Sequence, residues 1–165
     1  MQRGETILSG RVLSFRHTPF AGPPNAAARL DEAVLIRDGH IADLGPLADL
    51  ARAAPDVTVH DQGRALICAG FVDAHVHYPQ TAIIASWGKR LIDWLNTYTF
   101  PEELRFDAPE YAQAIAARYF DLTQAQGTTT VASFCTSHPE SVEAFFAEAQ
   151  ARGLRAVAGK TCMDR

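Results

Sequence analysis

The 165-residue chain is 47% hydrophobic and 21% charged with a formal net charge of −4, an ordinary globular composition. It has no cluster of basic residues, no run near the ~20 apolar residues a bilayer span needs, and no apolar leader after Met1-Gln2-Arg3-Gly4. Nucleic-acid and membrane partners are therefore excluded as expectations, and the three widely spaced cysteines, Cys68, Cys135 and Cys162, read as free thiols of a reducing, cytoplasmic compartment. No Cys-x-x-Cys occurs, which removes zinc sites built on paired cysteines.

The first stretch alternates short strand-like runs with turn residues. Strands are predicted over 6–15, 33–37, 41–44 and 57–60, with a hairpin at Asp38-Gly39 and a loop through Pro19 to Ala28. Leu47 to Ala53 reads as a short helix that stops before Pro55. This is the pattern of part of a small β-sandwich covering residues 1–67. His17, His40 and His60 fall here and read as solvated surface groups.

Near residue 68 the rhythm changes, and the most informative stretch follows: Gly70-Phe71-Val72-Asp73-Ala74-His75-Val76-His77. A predicted strand over 71–75 carries two histidines at i and i+2, which alternation places on one face. Two imidazoles at the end of a buried strand make half of a metal site; the alternative is a pair of solvated histidines on an edge. The apolar run before them and Asp73 beside them, a carboxylate able to orient a ring, favour the metal.

Downstream, 91–98 reads as a short helix and 107–126 as a long one, with a capping box Asp107-Ala108-Pro109-Glu110 and Gly127 as its stop. Its stripe of Tyr111, Ile115, Tyr119 and Leu122 reads as core. A strand over 128–134 leads through Ser137-His138-Pro139-Glu140 into a helix ended by Gly153, with Val142, Phe145, Phe146 and Ala149 buried, and a third strand spans 154–159. Strands alternating with helices argue for a parallel βα architecture over residues 68–165. His138 stands where active-site groups collect in barrels, and either faces a substrate or simply starts its helix. Cys135 and Cys162, at similar strand ends, read as small apolar packing groups.

These residues resemble a known family. Gly70 to His77 is similar to the first barrel strand of the amidohydrolase superfamily. The continuation is similar to its guanine deaminases: Tyr78-Pro79-Gln80, Asp93-Trp94-Leu95-Asn96-Thr97-Tyr98-Thr99-Phe100-Pro101-Glu102, Gly127-Thr128-Thr129-Thr130, Thr136-Ser137-His138, and Gly159-Lys160-Thr161-Cys162-Met163-Asp164. The likeness runs from about residue 65 to the end; Ala69 departs from it, standing where the family usually has proline. It implies an α/β fold, the first three βα units of an incomplete (β/α)8 TIM-like hydrolase barrel. It implies Zn²⁺, one per subunit, held by His75 and His77 and completed by ligands beyond residue 165. It also implies a purine pocket that includes His77, Tyr78, Pro79 and Gln80.

The implied reaction is hydrolytic deamination of guanine to xanthine and ammonia, with a zinc-activated water as nucleophile and a homodimer as the full-length parent. A complete barrel takes ~250 residues, and the family's other ligands and proton-shuttling glutamate lie on later strands. The expectation is therefore a fragment with no catalytic residue of its own: Glu102, Glu103 and Asp164 occupy positions without such a role in the family. The rival readings are another heterocycle deaminase of the superfamily and a non-catalytic binding module. Gln80 with the Trp94 to Pro101 run argues against the first.

Overall fold

The computed structural model describes residues 4–18 and 20–163, so Pro19 of the predicted loop and Asp164 of the family motif lie outside the described residues. The chain forms two compact units, Met1–Ala69 and Gly70–Arg165.

The first unit is a four-stranded sheet in the order β3-β2-β1-β4, built from β1 (Glu5–Phe15), β2 (Ala28–Arg37), β3 (His40–Gly45) and β4 (Val59–Cys68). β1–β2 and β2–β3 pair antiparallel. The β2–β3 turn is made by Asp38 and Gly39, at φ 51° and 80°. Two successive positive φ values make the type I′ turn whose twist suits a hairpin, and Asp-Gly is among the few pairs that adopt it cheaply. A one-turn helix α1 (Pro24–Ala27) lies before β2, inside the stretch expected to be loop. The helix α2 (Leu47–Ala53) carries the chain back across the sheet, so that β4 joins β1 in parallel. Leu50 and Ala54 pack against Ile7, Ala33 and Leu35 to form this unit's core. Among the described residues the unit has a single sheet. β4 is longer than the predicted strand, and its side chains are almost all exposed.

The second unit is a parallel sheet, β5 (Phe71–His77), β6 (Thr128–Phe134) and β7 (Arg155–Gly159), in that order. Helices α5 (Pro109–Ala125) and α6 (Pro139–Ala151) make the two crossovers, α5 between β5 and β6 and α6 between β6 and β7. Their inner stripes meet Val131 and Tyr78 in a core centred on Phe106, Phe120 and Phe145. Arg152, at the end of α6, reaches Asp121 at 2.6 Å and Gln124 at 3.0 Å on α5, tying the two helices together. The opposite face of the sheet is open, and Val72, Phe134 and Val157 are exposed there.

Three predicted details differ. The capping box does not form: α5 starts at Pro109 with Ala108 as its cap, extended at φ −88° and ψ 113°. Proline fits the first helical position and holds the residue before it extended, so the helix cannot begin at Asp107. The short helix at 91–98 is instead a longer helical run. It comprises α3 (Leu91–Trp94), a π-helical stretch (Leu95–Thr99), α4 (Phe100–Glu103) and a 3₁₀ turn (Leu104–Asp107). Leu122 and Phe146 lie at the margins of their stripes, 42% and 40% exposed, where an apolar stripe wider than the contact leaves its flank in solvent. Gly127 ends α5 as expected, at φ +84°, the left-handed conformation of a helix stop. Among the described residues no helix is long and apolar enough to cross a membrane.

Candidate metal centre

β5 delivers His75 and His77 to the C-terminal end of the parallel sheet, where a βα architecture gathers its functional groups. The two imidazoles are neighbours, with ring centroids 5.5 Å apart and planes at 68°. Phe134, at the end of β6, pairs with His77 in register, stacks on its ring at 4.8 Å and meets the His75 ring edge-on at 5.4 Å. Val76 turns the other way and packs on the helix-side core. Partial burial, and then the charge of His75, hold the His77 imidazole below its usual value. His77 is thus neutral at pH 7 and able to donate a lone pair.

The pair shares a face even though the β5–β6 register slips between Asp73 and Val76. Asp73, just before the slip, pairs with the buried Val131, and its charge is felt by the Tyr119 hydroxyl on α5. Its carboxylate accepts the backbone N–H of His75 at 3.2 Å. Strict alternation, read from the sequence, does not foresee this bulge; Asp73 braces the strand through that bond and lines the same cleft as His75 and His77.

The four residues expected to face a purine divide two and two. His77 and Gln80 line a cleft of about 490 Å³ together with His75, Thr81 and Trp94. Tyr78 and Pro79 are buried instead. The Tyr78 backbone N–H donates to Ser133 Oγ at 3.1 Å, and its hydroxyl donates to the Ser141 carbonyl at 2.5 Å, with Ser141 Oγ at 3.0 Å. Ser141 Oγ also accepts the backbone N–H of Thr136 at 3.1 Å. This buried network joins the ends of β5 and β6 to the first turn of α6. Burial drives the Tyr78 hydroxyl well above the usual phenol value, so it stays a donor.

His138 caps α6 with extended backbone, and its N–H donates to Thr136 Oγ1 at 3.1 Å. It also lines a second cavity, of about 210 Å³, with Phe100, Glu103, Leu104, Ser137 and Met163. The helix-start reading of His138 describes its backbone. Two neighbours were not visible in the sequence. Phe134 could have been found by carrying the β6 alternation to its end. Glu103 could not, because nothing distinguishes it from Glu102 except which way α4 turns each. Glu102 is buried, where it accepts from the Tyr111 hydroxyl and pairs with Arg105 at 3.1 Å. Glu103 faces the second cavity. Cys135 is buried, as expected, and its thiol is pushed up to about 11 by burial. Cys162 is not a packing group: it is exposed, because the chain has left the sheet by then. His17, His40 and His60 are exposed.

The donor set suits a metal. Two imidazoles, one held neutral, stand side by side where a strand opens onto a cleft, the type of nitrogen donor that zinc takes. Among the described residues no group of three histidine, cysteine or carboxylate side chains converges, so this pair is the whole of the donor set there.

The amidohydrolase family profile matches residues 66–165. The chain belongs to the amidohydrolase family. A second profile, the bacterial imidazolonepropionase-like composite domain, matches residues 33–56. Among relatives, the chain is 40% identical over 164 residues to a probable guanine deaminase of Deinococcus radiodurans, covering 96% of this chain and 37% of that protein. The crystal structure of guanine deaminase from Bradyrhizobium japonicum superposes with a TM-score of 0.91 at 34% identity, over 98% of this chain and 36% of that one. The guanine deaminase of C. acetobutylicum with guanine bound in its active site superposes at 0.76 and 27% identity, over 98% and 38%. This amidohydrolase chain thus spans little more than a third of the length of each of these proteins.

Proposed function

We propose that the protein carrying this chain hydrolyses guanine to xanthine and ammonia. The observation that carries the reading is the adjacent pair His75 and His77 opening onto the cleft that Gln80 lines, in a chain similar along nearly its whole length to guanine deaminases. In this reading unit 1 is part of a β-sandwich and unit 2 is the first three βα units of the barrel.

His75 and His77 would hold a divalent metal, zinc in the first instance, through neutral nitrogens. When bound, that metal supplies a strong nucleophile at neutral pH, which the amidine-like C2 of guanine needs because bulk water attacks it very slowly. The rest is positioning. Phe134 excludes water from one side of the imidazoles and holds their planes. The Tyr78–Ser141–Thr136 network fixes the turn that follows His77 and so aims Gln80 into the cleft. Gln80 offers an amide donor and an amide acceptor, the combination that matches the N–H and carbonyl groups of a purine edge. Departure of the amine needs a proton donor, and this reading assigns that role to none of the described residues. Homodimeric assembly and a cytoplasmic location belong to the same proposal and rest on the family resemblance, with the free thiols supporting the location.

The test is direct. The protein, expressed from its gene to the natural stop codon, should form xanthine and ammonia one for one from guanine, lose this on chelation and regain it with zinc. Adenine, cytosine and an aminotriazine should be poor substrates. Preference for any of these over guanine would refute the assignment.

A further inference from the structure

Part of the wall of the 490 Å³ cleft belongs to a segment that neither the metal nor Gln80 uses: Ile84, Ala85 and Ser86, joined by Trp94. The Trp94 side chain is half-buried, and its position is fixed by three contacts. Its indole N–H donates to the Ser86 carbonyl at 3.1 Å. Its backbone N–H donates to the Arg90 carbonyl at 3.0 Å, so the single turn of α3 carries the residue. Gly88 lies directly against the same side chain. A Cβ placed on it would stand 2.5 Å from Trp94 Cβ, 3.0 Å from Cδ1 and 3.1 Å from Cγ. Carbon atoms do not approach so closely, so only a glycine lets the 86–88 segment lie on the indole. The ring is thus held in place before any ligand arrives, which spares the entropy of ordering it on binding.

These contacts use up one side of the indole. Cγ, Cδ1 and Nε1 all belong to the five-membered ring, and the 86–88 segment engages them. The side chain has no second donor, so what it offers the cleft is carbon: the six-membered ring and its π face. A planar heterocycle seated beside His75, His77 and Gln80 can meet such a wall by stacking or edge-to-face, and by no directional hydrogen bond. We propose that Trp94 binds the flat aromatic face of the substrate, and that Gly88 is the positioning residue that sets the indole for it. Stacking is nearly indifferent to ring substituents, because every base has a π face. Trp94 therefore supplies affinity for purines as a class, while discrimination among them is left to groups at the ring edge, Gln80 among them. This rests on the guanine deaminase reading and deepens it.

The test uses the protein expressed from its gene to the natural stop codon, with zinc content and melting temperature checked for each variant. Trp94→Leu keeps an apolar side chain and loses the ring. It should raise KM for guanine and the inhibition constant of the product xanthine by about tenfold each, with kcat within about twofold and zinc retained. Trp94→Phe keeps a ring and should recover most of that loss. Gly88→Ala leaves the indole in the chain but forces the 86–88 segment off it, and should raise both constants together. If Trp94→Leu does not fold, Gly88→Ala and Trp94→Phe decide by the same two constants: a silent Gly88→Ala overturns the inference. So does a silent Trp94→Leu, a Trp94→Phe no better than Trp94→Leu, or a rise for guanine without one for xanthine, each leaving guanine deamination in place. Wild-type protein that binds zinc but leaves guanine untouched brings down the reading of function, and this inference with it.

Discussion

Replacing Tyr78 by phenylalanine separates the two roles open to that residue. The change removes one hydroxyl from a site with no solvent access, where it serves the Ser141 carbonyl at 2.5 Å and Ser141 Oγ at 3.0 Å. The ring stays among Phe106, Tyr119 and Phe145, so no cavity larger than one oxygen opens. Ser141 Oγ keeps the Thr136 N–H but loses its partner on the other side. Losing a satisfied buried hydrogen bond and stranding part of its partner costs about 1–3 kcal/mol. The urea midpoint should fall with an unchanged m-value, since the surface exposed on unfolding is the same. Because the hydroxyl faces Ser141 and not the cleft, KM for guanine should stay within a factor of about two of wild type, well below the tenfold that one lost substrate hydrogen bond costs. Wild-type stability combined with a large rise in KM would refute the reasoning and return Tyr78 to the substrate.

Four further outcomes are expected. His75→Ala should abolish stoichiometric zinc retention in the protein expressed to its natural stop codon, as read by elemental analysis; retained zinc and activity would remove His75 from the ligand set. Gln80→Ala should leave zinc bound and lower kcat/KM for guanine roughly tenfold to a hundredfold, and an unchanged value would make Gln80 an ordinary loop residue. The Cys135 thiol is raised by burial from 9.0 to about 11, so the unfolded chain ionises first; stability present below pH 9 should decline as the pH rises toward 11. The urea midpoint should trace this decline, and Cys135→Ala should flatten it. Residues 1–165 alone should make no xanthine and should associate with rising concentration. Val72 and Val157 lie exposed on the sheet at 66% and 65%, and the buried Tyr119 hydroxyl has no partner among the described residues. A monomeric, zinc-dependent, active 165-residue species contradicts this expectation.

What could be read from the sequence is what local chemistry fixes. Asp38-Gly39 announces its turn because few pairs tolerate two positive φ values, and β6 and α2 fall where their periodicity puts them. His75 and His77 were legible as a pair because a spacing of two survives anything that keeps the strand extended. What stayed hidden depends on contacts between segments. The slip in register after Asp73 arises from how β5 meets β6. The inward turn of Tyr78 depends on Ser141, 63 residues away in sequence. Which of Glu102 and Glu103 is anchored and which faces the second cavity depends on Tyr111, nine residues after Glu102, and on the helical run itself.

The bonds at Ser141 also divide the second unit into a frame and the groups mounted on it. One hydroxyl engages Tyr78 and Thr136 together, so the turn after β5 and the junction of β6 with α6, far apart in sequence, must change in concert or not at all. The side chains that lean into the two cavities, Gln80 and His138 among them, take no part in those bonds. They are free to be exchanged one at a time. Selection for a different heterocycle could thus retool the mouth of the sheet residue by residue without loosening the strands that carry the histidines.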